Sequence, residues 1–277
     1  MLGQSLVTSA PSDIELLSFT HEQLDITESK AVAATFDWHR PGIVINASGY
    51  TAVDRAESDR AGAFAVNSTA VTMLGVACKE RDIPVVHFST DYVFDGAASR
   101  PYREDDAACP INCYGASKLA GEQGLLSSGA TSLLIRTQWL FGGAGVSFAR
   151  RMWERARCRH ATRVVDDQRG RPTSTADLAF ATWQLIEQRR FGLFHIASGG
   201  EATWYDIATF VFAQLGVAEL VRPCKTIDIP RPARRPAYSV LDTTRADYAL
   251  GSGLPLWKEA LGRLLDALAD SDSASRC

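Results

Sequence analysis

The 277 residues predict an α/β fold, a doubly wound parallel sheet with a second, smaller domain at its C-terminal side. Two observations carry this. Short β-branched runs alternate with longer stretches of helical periodicity, the order expected when helices cross over between parallel strands. Ile43 to Ala47 is a continuous apolar run after Pro41-Gly42, as in a strand covered by helices on both faces. The composition supports a well-filled core, with 46% apolar and 22% charged residues.

The elements follow in order. After Ile43 to Ala47, apolar residues at helical spacing (Phe64, Val71, Leu74, Ala77, Cys78) predict a helix from Ala61 to Glu80, stopped by Asp82-Ile83-Pro84. Val85 to Ser89 reads as the next strand. A polar loop from Asp95 to Asn112 follows, then a helix from Tyr114 to Leu126 and a strand from Leu133 to Thr137. Helical patterns return at Val146 to Cys158, at Thr175 to Gln188 and, behind a Thr203 cap, at Trp204 to Leu215, with a strand at Leu193 to Ala197. Asp270 to Cys277 is Ser- and Asp-rich and aperiodic, so a frayed tail is expected.

Twenty-nine basic against 32 acidic residues give a net charge of −3, which argues against a nucleic-acid partner. No run approaches the ~18 consecutive apolar residues of a membrane span, and no charged-then-apolar leader opens the chain, so a cytoplasmic protein is expected. Six cysteines without a CxxC pair read as free thiols. None of the five histidines has metal-ligand spacing. His87 and His195 lie in apolar runs, where packed, hydrogen-bonded imidazoles are expected, and no metal site is assigned.

A dinucleotide-binding sheet opens with a strand feeding a glycine-rich turn, whose amides and following helix hold the pyrophosphate. Here the chain begins Met1-Leu2-Gly3-Gln4-Ser5-Leu6, which reads as the end of such a turn and the first turn of its helix. The expectation is a Rossmann-like sheet with its first strand missing.

Tyr114-Gly115-Ala116-Ser117-Lys118 puts a phenol and an ammonium one helical turn apart on one face. A nearby cation stabilises phenolate and brings a group of pKa about 10 toward the working range of a general acid or base. The same spacing occurs on solvated helix faces, so the motif alone says little. Its context says more. Ser89-Thr90-Asp91-Tyr92 directly follows a strand, at the carboxyl edge where such sheets bind ligands, and Thr90 precedes Tyr114 by 24 positions. Thr90 and Tyr114 would share an oxygen that gains charge as hydride reaches carbon, which makes hydride transfer the expected reaction class.

Four segments resemble the dTDP-4-dehydrorhamnose reductase family of extended short-chain dehydrogenases/reductases. They are Val44 to Glu57 (Val-Ile-Asn-Ala-Ser-Gly-Tyr-Thr-Ala-Val-Asp-Arg-Ala-Glu), Ser89 to Gly96, Pro101 to Asp105 and Tyr114 to Glu122. Arg136 to Trp139, Val164 to Thr173, Thr203 to Asp206 and Arg234 to Asp242 agree as well, and the likeness runs from about Leu24 to Leu265. It implies that Tyr114 is the proton donor, Lys118 the cofactor-holding lysine and Thr90 the hydroxyl beside the tyrosine. It further implies that Asp25 and Ile26 line the adenine side and that Gly49, Tyr50 and Thr51 lie beside the cofactor ribose and phosphates. Gly3 would be the last glycine of the phosphate turn. Asp91 and Trp139 would touch the nucleotide sugar, as would Arg169 within Asp167 to Thr173. From the residues alone, Asp25 reads equally as a cap for a helix starting near Glu28, and Trp139 as core. Arg169, Arg234 and Arg235 suit either diphosphate or a structural carboxylate.

By this resemblance, residues 1–142 form the dinucleotide-binding domain and residues 143–277 mainly the sugar-nucleotide domain, with some segments returning to the first. The implied activity is reduction of dTDP-4-dehydro-L-rhamnose to dTDP-L-rhamnose with NADPH or NADH. Alternatives are another dTDP-deoxysugar reductase of an antibiotic pathway and a non-catalytic NADP-binding subunit like that of methionine adenosyltransferase. The resemblance also implies a homodimer, since family members often pair, and Mg2+, which is bound in some of them. Departures from the pattern are the missing strand and turn glycines, Gly49 for the usual Ala and Gln138 for the usual Ser.

Overall fold

The computed structural model describes residues 1–143 and 145–274. The chain opens with α1 (Leu2–Thr8) and α2 (Ser29–His39), then β1 (Val44–Asn46) and the short α3 (Val53–Ala56). Next come α4 (Arg60–Phe64), a π turn at Ala65–Thr69 and α5 (Ala70–Glu80), followed by β2 (Val85–Thr90), α6 (Cys113–Ser127) and β3 (Ser132–Thr137). The second half holds β4 (Leu140–Phe141), α7 (Phe148–Arg157), β5 (Thr162–Val165), β6 (Arg169–Gly170), β7 (Thr173–Ser174) and α8 (Thr175–Glu187). It ends with β8 (Gly192–His195), β9 (Ala202–Thr203), α9 (Trp204–Gln214), β10 (Val221–Cys224), α10 (Thr244–Leu250) and α11 (Trp257–Ala274).

The main sheet is parallel, in the order β1-β2-β3-β8. Alternation along its strands fills two cores. Val86 and Phe88 of β2 point with Leu133 and Ile135 to one face, where Leu2 and Leu6 of α1 and Leu178 of α8 cover them. Val85 points to the other, against Phe36 of α2, Leu74 of α5 and Leu125 of α6. Helices on both faces make the sheet doubly wound, as the sequence predicts. A third core joins Trp153 of α7, Val211 and Phe212 of α9 and Leu261 and Leu265 of α11.

Several expectations are corrected. The four strands of the sheet are contiguous, and the described residues leave unpaired backbone at the outer edge of β1. Asp25 does not cap α2: it accepts hydrogen bonds from the Thr27 amide and hydroxyl, at 2.9 and 2.8 Å, and holds the stretch around Leu24 to Ile26 in a turn. α11 continues past Asp270 to Ala274; its Leu261, Leu264, Leu265 and Leu268 supply the apolar stripe that polar neighbours mask in sequence. The rest of the expected frayed tail, with Cys277, lies outside the described residues. The helix from Arg60 to Glu80 contains a window of mean hydropathy 1.5, long and apolar enough by composition to cross a membrane. In the fold it packs against α6.

Candidate active site

β2 ends in Thr90, whose extended backbone and side chain start a tight turn: its Oγ1 accepts from the Tyr92 amide at 3.2 Å and donates to Asp91 Oδ1 at 3.0 Å. Asp91 is 2% exposed, and its other oxygen accepts from Ser239 Oγ. Burial pushes the Asp91 carboxyl up to about 7, against the two hydroxyls that favour its charged form. Tyr114 stands on the first turn of α6, which Asn112 caps by accepting from the Gly115 amide at 2.7 Å. Glu57 accepts from the Cys113 amide at 2.7 Å and fixes the same helix start.

The close approach of α6 to the Tyr92 turn depends on Gly115, where a Cβ would lie 2.0 Å from the Tyr92 carbonyl oxygen. Tyr92 and Tyr114 meet edge to face with centroids 5.8 Å apart. The Tyr114 phenol sits beside Thr90 and is raised to about 12, chiefly by burial and secondarily by Asp91, while Thr90 favours the phenolate. Lys118 does not make it acidic in this state. Its Nζ donates to the Phe88 carbonyl at 2.6 Å and lies 3.3 Å from His87 Nε2. Burial draws this lysine down to about 8. Tyr114 therefore keeps its proton in this state.

The Gly49-Tyr50-Thr51 loop is held against α6 by Asn67, fully buried in the π turn. Asn67 Oδ1 accepts from the Tyr50 amide at 2.9 Å, and Nδ2 donates to the Tyr50 carbonyl and to Ser117 Oγ, both at 3.0 Å. The local widening of the helix gives this side chain its reach, and π turns gather at functional positions for such reasons. A Cβ on Gly49 would stand 3.4 Å from Asn67 Oδ1 and 4.0 Å from Lys118 Nζ.

These elements wall a cavity of about 360 Å³, lined by Thr51, Thr90, Asp91, Tyr114, Gln138 and Trp139 among others. The opposite wall comes from the C-terminal half, where Trp204 stacks on Trp139 with centroids 3.9 Å apart and Phe148 meets Trp204 edge-on. Trp139 adopts a left-handed backbone (φ 49°), and Gly170 leaves room for its indole, which a Cβ there would approach to 2.6 Å. Four cavity-lining groups, Ser89 Oγ, Thr137 Oγ1, Gln138 Nε2 and Trp139 Nε1, are buried without a hydrogen-bond partner. Buried polar groups without partners in a cleft suit a polar ligand.

The profile described as RmlD substrate binding domain matches residues 1–270. The chain is 36% identical over 278 residues to the dTDP-4-dehydrorhamnose reductase of Sinorhizobium fredii, covering 96% of this chain and 94% of that protein. It belongs to the dTDP-4-dehydrorhamnose reductase family. A second relative, from Streptomyces antibioticus, is named "Probable dTDP-4,6-dihydroxy-2-methyloxan-3-one 4-ketoreductase" and is 44% identical, with 94% of this chain and 90% of that protein covered. Among solved structures, the dTDP-4-dehydrorhamnose reductase of Bacillus anthracis in complex with NADP superposes with a TM-score of 0.92 at 32% identity, covering 96% of this chain and 95% of that one.

The residues expected from the dTDP-4-dehydrorhamnose reductase pattern do not all come together. Thr90, Asp91, Tyr114, Thr51 and Trp139 share the cavity. Lys118 and Gly49 lie together beneath it. Tyr50 points its hydroxyl to Asp59 Oδ2 at 3.0 Å. Gly3 sits in α1 with Ala47 3.7 Å from its would-be Cβ, a helix-to-strand contact. Asp25 and Ile26 are half-buried outside the cavity. Arg169 is exposed in β6, and Arg235 is taken up structurally, donating to Asp54 Oδ1 at 2.6 Å. Sequence reasoning missed Asn67, Ser239, Phe148 and Trp204. Their signals were weak: a lone Asn in a helix, a Ser in a loop and aromatics at the starts of predicted helices.

Proposed function

We propose that this protein reduces the C4 ketone of dTDP-4-dehydro-β-L-rhamnose to give dTDP-L-rhamnose, in dTDP-rhamnose and cell-surface polysaccharide biosynthesis. The carrying observation is the pairing of a protonated Tyr114 phenol with the Thr90 hydroxyl in a cavity whose far wall is the Trp139–Trp204 stack. The unpartnered polar groups of that cavity fit a cofactor and a sugar, and Lys118, Gly49, Tyr50 and Thr51 would hold NADPH. When bound, NADPH supplies a hydride to a carbonyl carbon.

Tyr114 gives its proton to the ketone oxygen as the carbon–oxygen π bond becomes an O–H bond, leaving a phenolate that regains its proton from solvent. Thr90 orients that oxygen through its hydroxyl. The aromatic wall covers the sugar and keeps water from the reacting carbon. We assign residues 1–142 to the dinucleotide-binding domain and residues 143–277 mainly to the sugar-nucleotide domain. Asp25 and Ile26 on the adenine side, Arg169 toward the substrate, a cytoplasmic location and a homodimer complete the proposal. NADPH rather than NADH is the proposed donor, supported by the NADP complex of the Bacillus anthracis relative.

A second reading is a 4-ketoreductase of a different dTDP-6-deoxysugar. It is favoured by the 44% identity to the Streptomyces antibioticus protein and by 40% identity to a dTDP-4-keto-6-deoxy-D-glucose reductase of Streptomyces niveus. NADPH oxidation with dTDP-4-dehydro-L-rhamnose and with dTDP-4-keto-6-deoxy-D-glucose separates the readings. A higher kcat/KM for the first supports the proposal, a higher value for the second favours the alternative, and no oxidation with either removes both.

A further inference from the structure

Beneath the cavity, one hydrogen-bonded chain runs from β1 to the lysine of α6, and its polarity can be read from one end. The Ser48 amide, which can only donate, lies 3.1 Å from Asn46 Oδ1, and Ser48 Oγ donates to the same oxygen. The carboxamide of Asn46 is therefore fixed with its oxygen toward Ser48 and its Nδ2 toward His87 Nδ1, 3.2 Å away. An amide nitrogen is a donor only, so His87 Nδ1 must accept, and a neutral imidazole with an acceptor at Nδ1 carries its hydrogen on Nε2. His87 is fully buried, and burial disfavours a second proton on its ring. Nε2–H faces Lys118 Nζ at 3.3 Å, where a donor meets a satisfied partner only if the nitrogen offers a lone pair.

We propose that Ser48, Asn46 and His87 are positioning residues that hold Lys118 as a neutral amine in the unliganded protein, and that they thereby set the pH at which this lysine becomes charged. The amine spends one hydrogen on the Phe88 carbonyl and accepts the imidazole hydrogen with its lone pair. Its remaining hydrogen is free for a partner on the Gly49 side, where the glycine leaves 4.0 Å of clearance. Charging Lys118 requires the imidazole to move its hydrogen to Nδ1, against an amide that the Ser48 amide will not let turn.

The groups that bear on this charge are few. His87 faces Lys118 from β2, Tyr114 and Glu122 from α6 itself, and Asp91 lies beyond Tyr114. Glu122 favours the ammonium, but it is engaged by Arg136 of β3 at 2.6 Å. From β1 and the π turn come the uncharged carboxamides of Asn46, which reaches His87, and Asn67, which reaches Ser117. Burial draws Lys118 toward the neutral form, and the hydrogen-bond polarity acts in the same direction.

The consequence for turnover rests on the reductase reading, whereas the polarity itself is measurable in the protein alone. Nitrogen-15 NMR of histidine-labelled protein at about pH 9, above the value near 8 to which burial draws Lys118, reports each ring's tautomer, and the His87 signal is the one lost in His87→Gln. The expected state is hydrogen on Nε2. Hydrogen on Nδ1, or on both nitrogens, overturns the proposal. Asn46→Asp is nearly isosteric but presents a carboxylate to Nδ1. It should move the hydrogen to Nδ1 and raise the Lys118 titration midpoint by about one unit, roughly tenfold in its ionisation constant. The alkaline limb of kcat/KM, where a cofactor-holding ammonium is lost, should shift up by the same amount. An unshifted lysine titration in a folded Asn46→Asp protein also overturns the proposal, and if that variant does not fold, the wild-type tautomer decides. Because neither sugar nor NADPH is needed, a failed reductase assay leaves this test intact.

Discussion

Gly115→Ala tests whether the approach of α6 to the Tyr92 turn places the phenol. The added Cβ would meet the Tyr92 carbonyl oxygen at 2.0 Å, with Pro110 Cβ at 3.1 Å, where ordinary contact begins at 3.4 Å. Neither neighbour is the end of a flexible side chain, so the helix start must retreat by more than 1 Å from the turn that holds Thr90. Overpacking of this kind costs about 1–3 kcal/mol of stability. A misplacement of about 1 Å costs on the order of 100-fold in rate, because Tyr114 is the adjacent residue and moves with the helix. The assay is kcat and KM for NADPH-dependent ketosugar reduction, beside a thermal melt. Gly262→Ala in α11 is the control: nothing lies within 4 Å of its Cβ, and it should gain about 0.5–1 kcal/mol with unchanged kcat. A Gly115→Ala protein that is folded and turns over within about threefold of wild type would refute the placement, since a 1 Å shift predicts far more.

If Tyr114 is the proton donor proposed above, Tyr114→Phe should lower kcat by about 10² to 10⁴ with KM and melting temperature little changed. Arg136→Met strands the buried Glu122 and should cost about 3–5 kcal/mol by urea unfolding, most of it recovered in the Glu122→Leu/Arg136→Met double variant. The Asp91 carboxyl, raised from 3.8 to about 7, contributes stability that is fully present below 3.8 and is lost as pH rises through 7. Asp91→Asn should therefore remove part of the wild-type loss of stability between about pH 4 and pH 8, by at most a few kcal/mol, and unchanged unfolding midpoints across that range would contradict it.

What sequence reveals here is what periodicity and turn chemistry encode. The strand at Val85 ends one residue later than expected, and α6 begins at Cys113, one residue before Tyr114, behind the Asn112 cap. Both follow from local pattern. The Thr203 cap is present with Asp206 completing a reciprocal pair. His87 and His195 are packed, hydrogen-bonded imidazoles in the core, as their apolar runs predict. Spacing also brings Tyr114 and Lys118 to one face of α6, yet it says nothing of what each nitrogen or oxygen meets across the interface. The lysine is directed to Phe88 and His87 on β2, which only the register of helix on sheet decides. The π turn around Asn67 has no compositional mark. Arg235 resolves as a structural partner of Asp54 because of a contact 181 positions distant in sequence. The far wall of the cavity escaped notice for the same reason, since Trp204 and Phe148 become a wall only when the two halves of the chain meet.

The most direct measurement supplies the protein with dTDP-4-dehydro-L-rhamnose and NADPH deuterated at nicotinamide C4, and locates the label in the product by NMR. A single deuterium on sugar C4 of dTDP-L-rhamnose, formed by wild type and nearly lost in Tyr114→Phe, is the expected result. Label at another carbon, unreduced ketosugar, or undiminished labelling by Tyr114→Phe would contradict the assignment of phenol and ketone to one cavity.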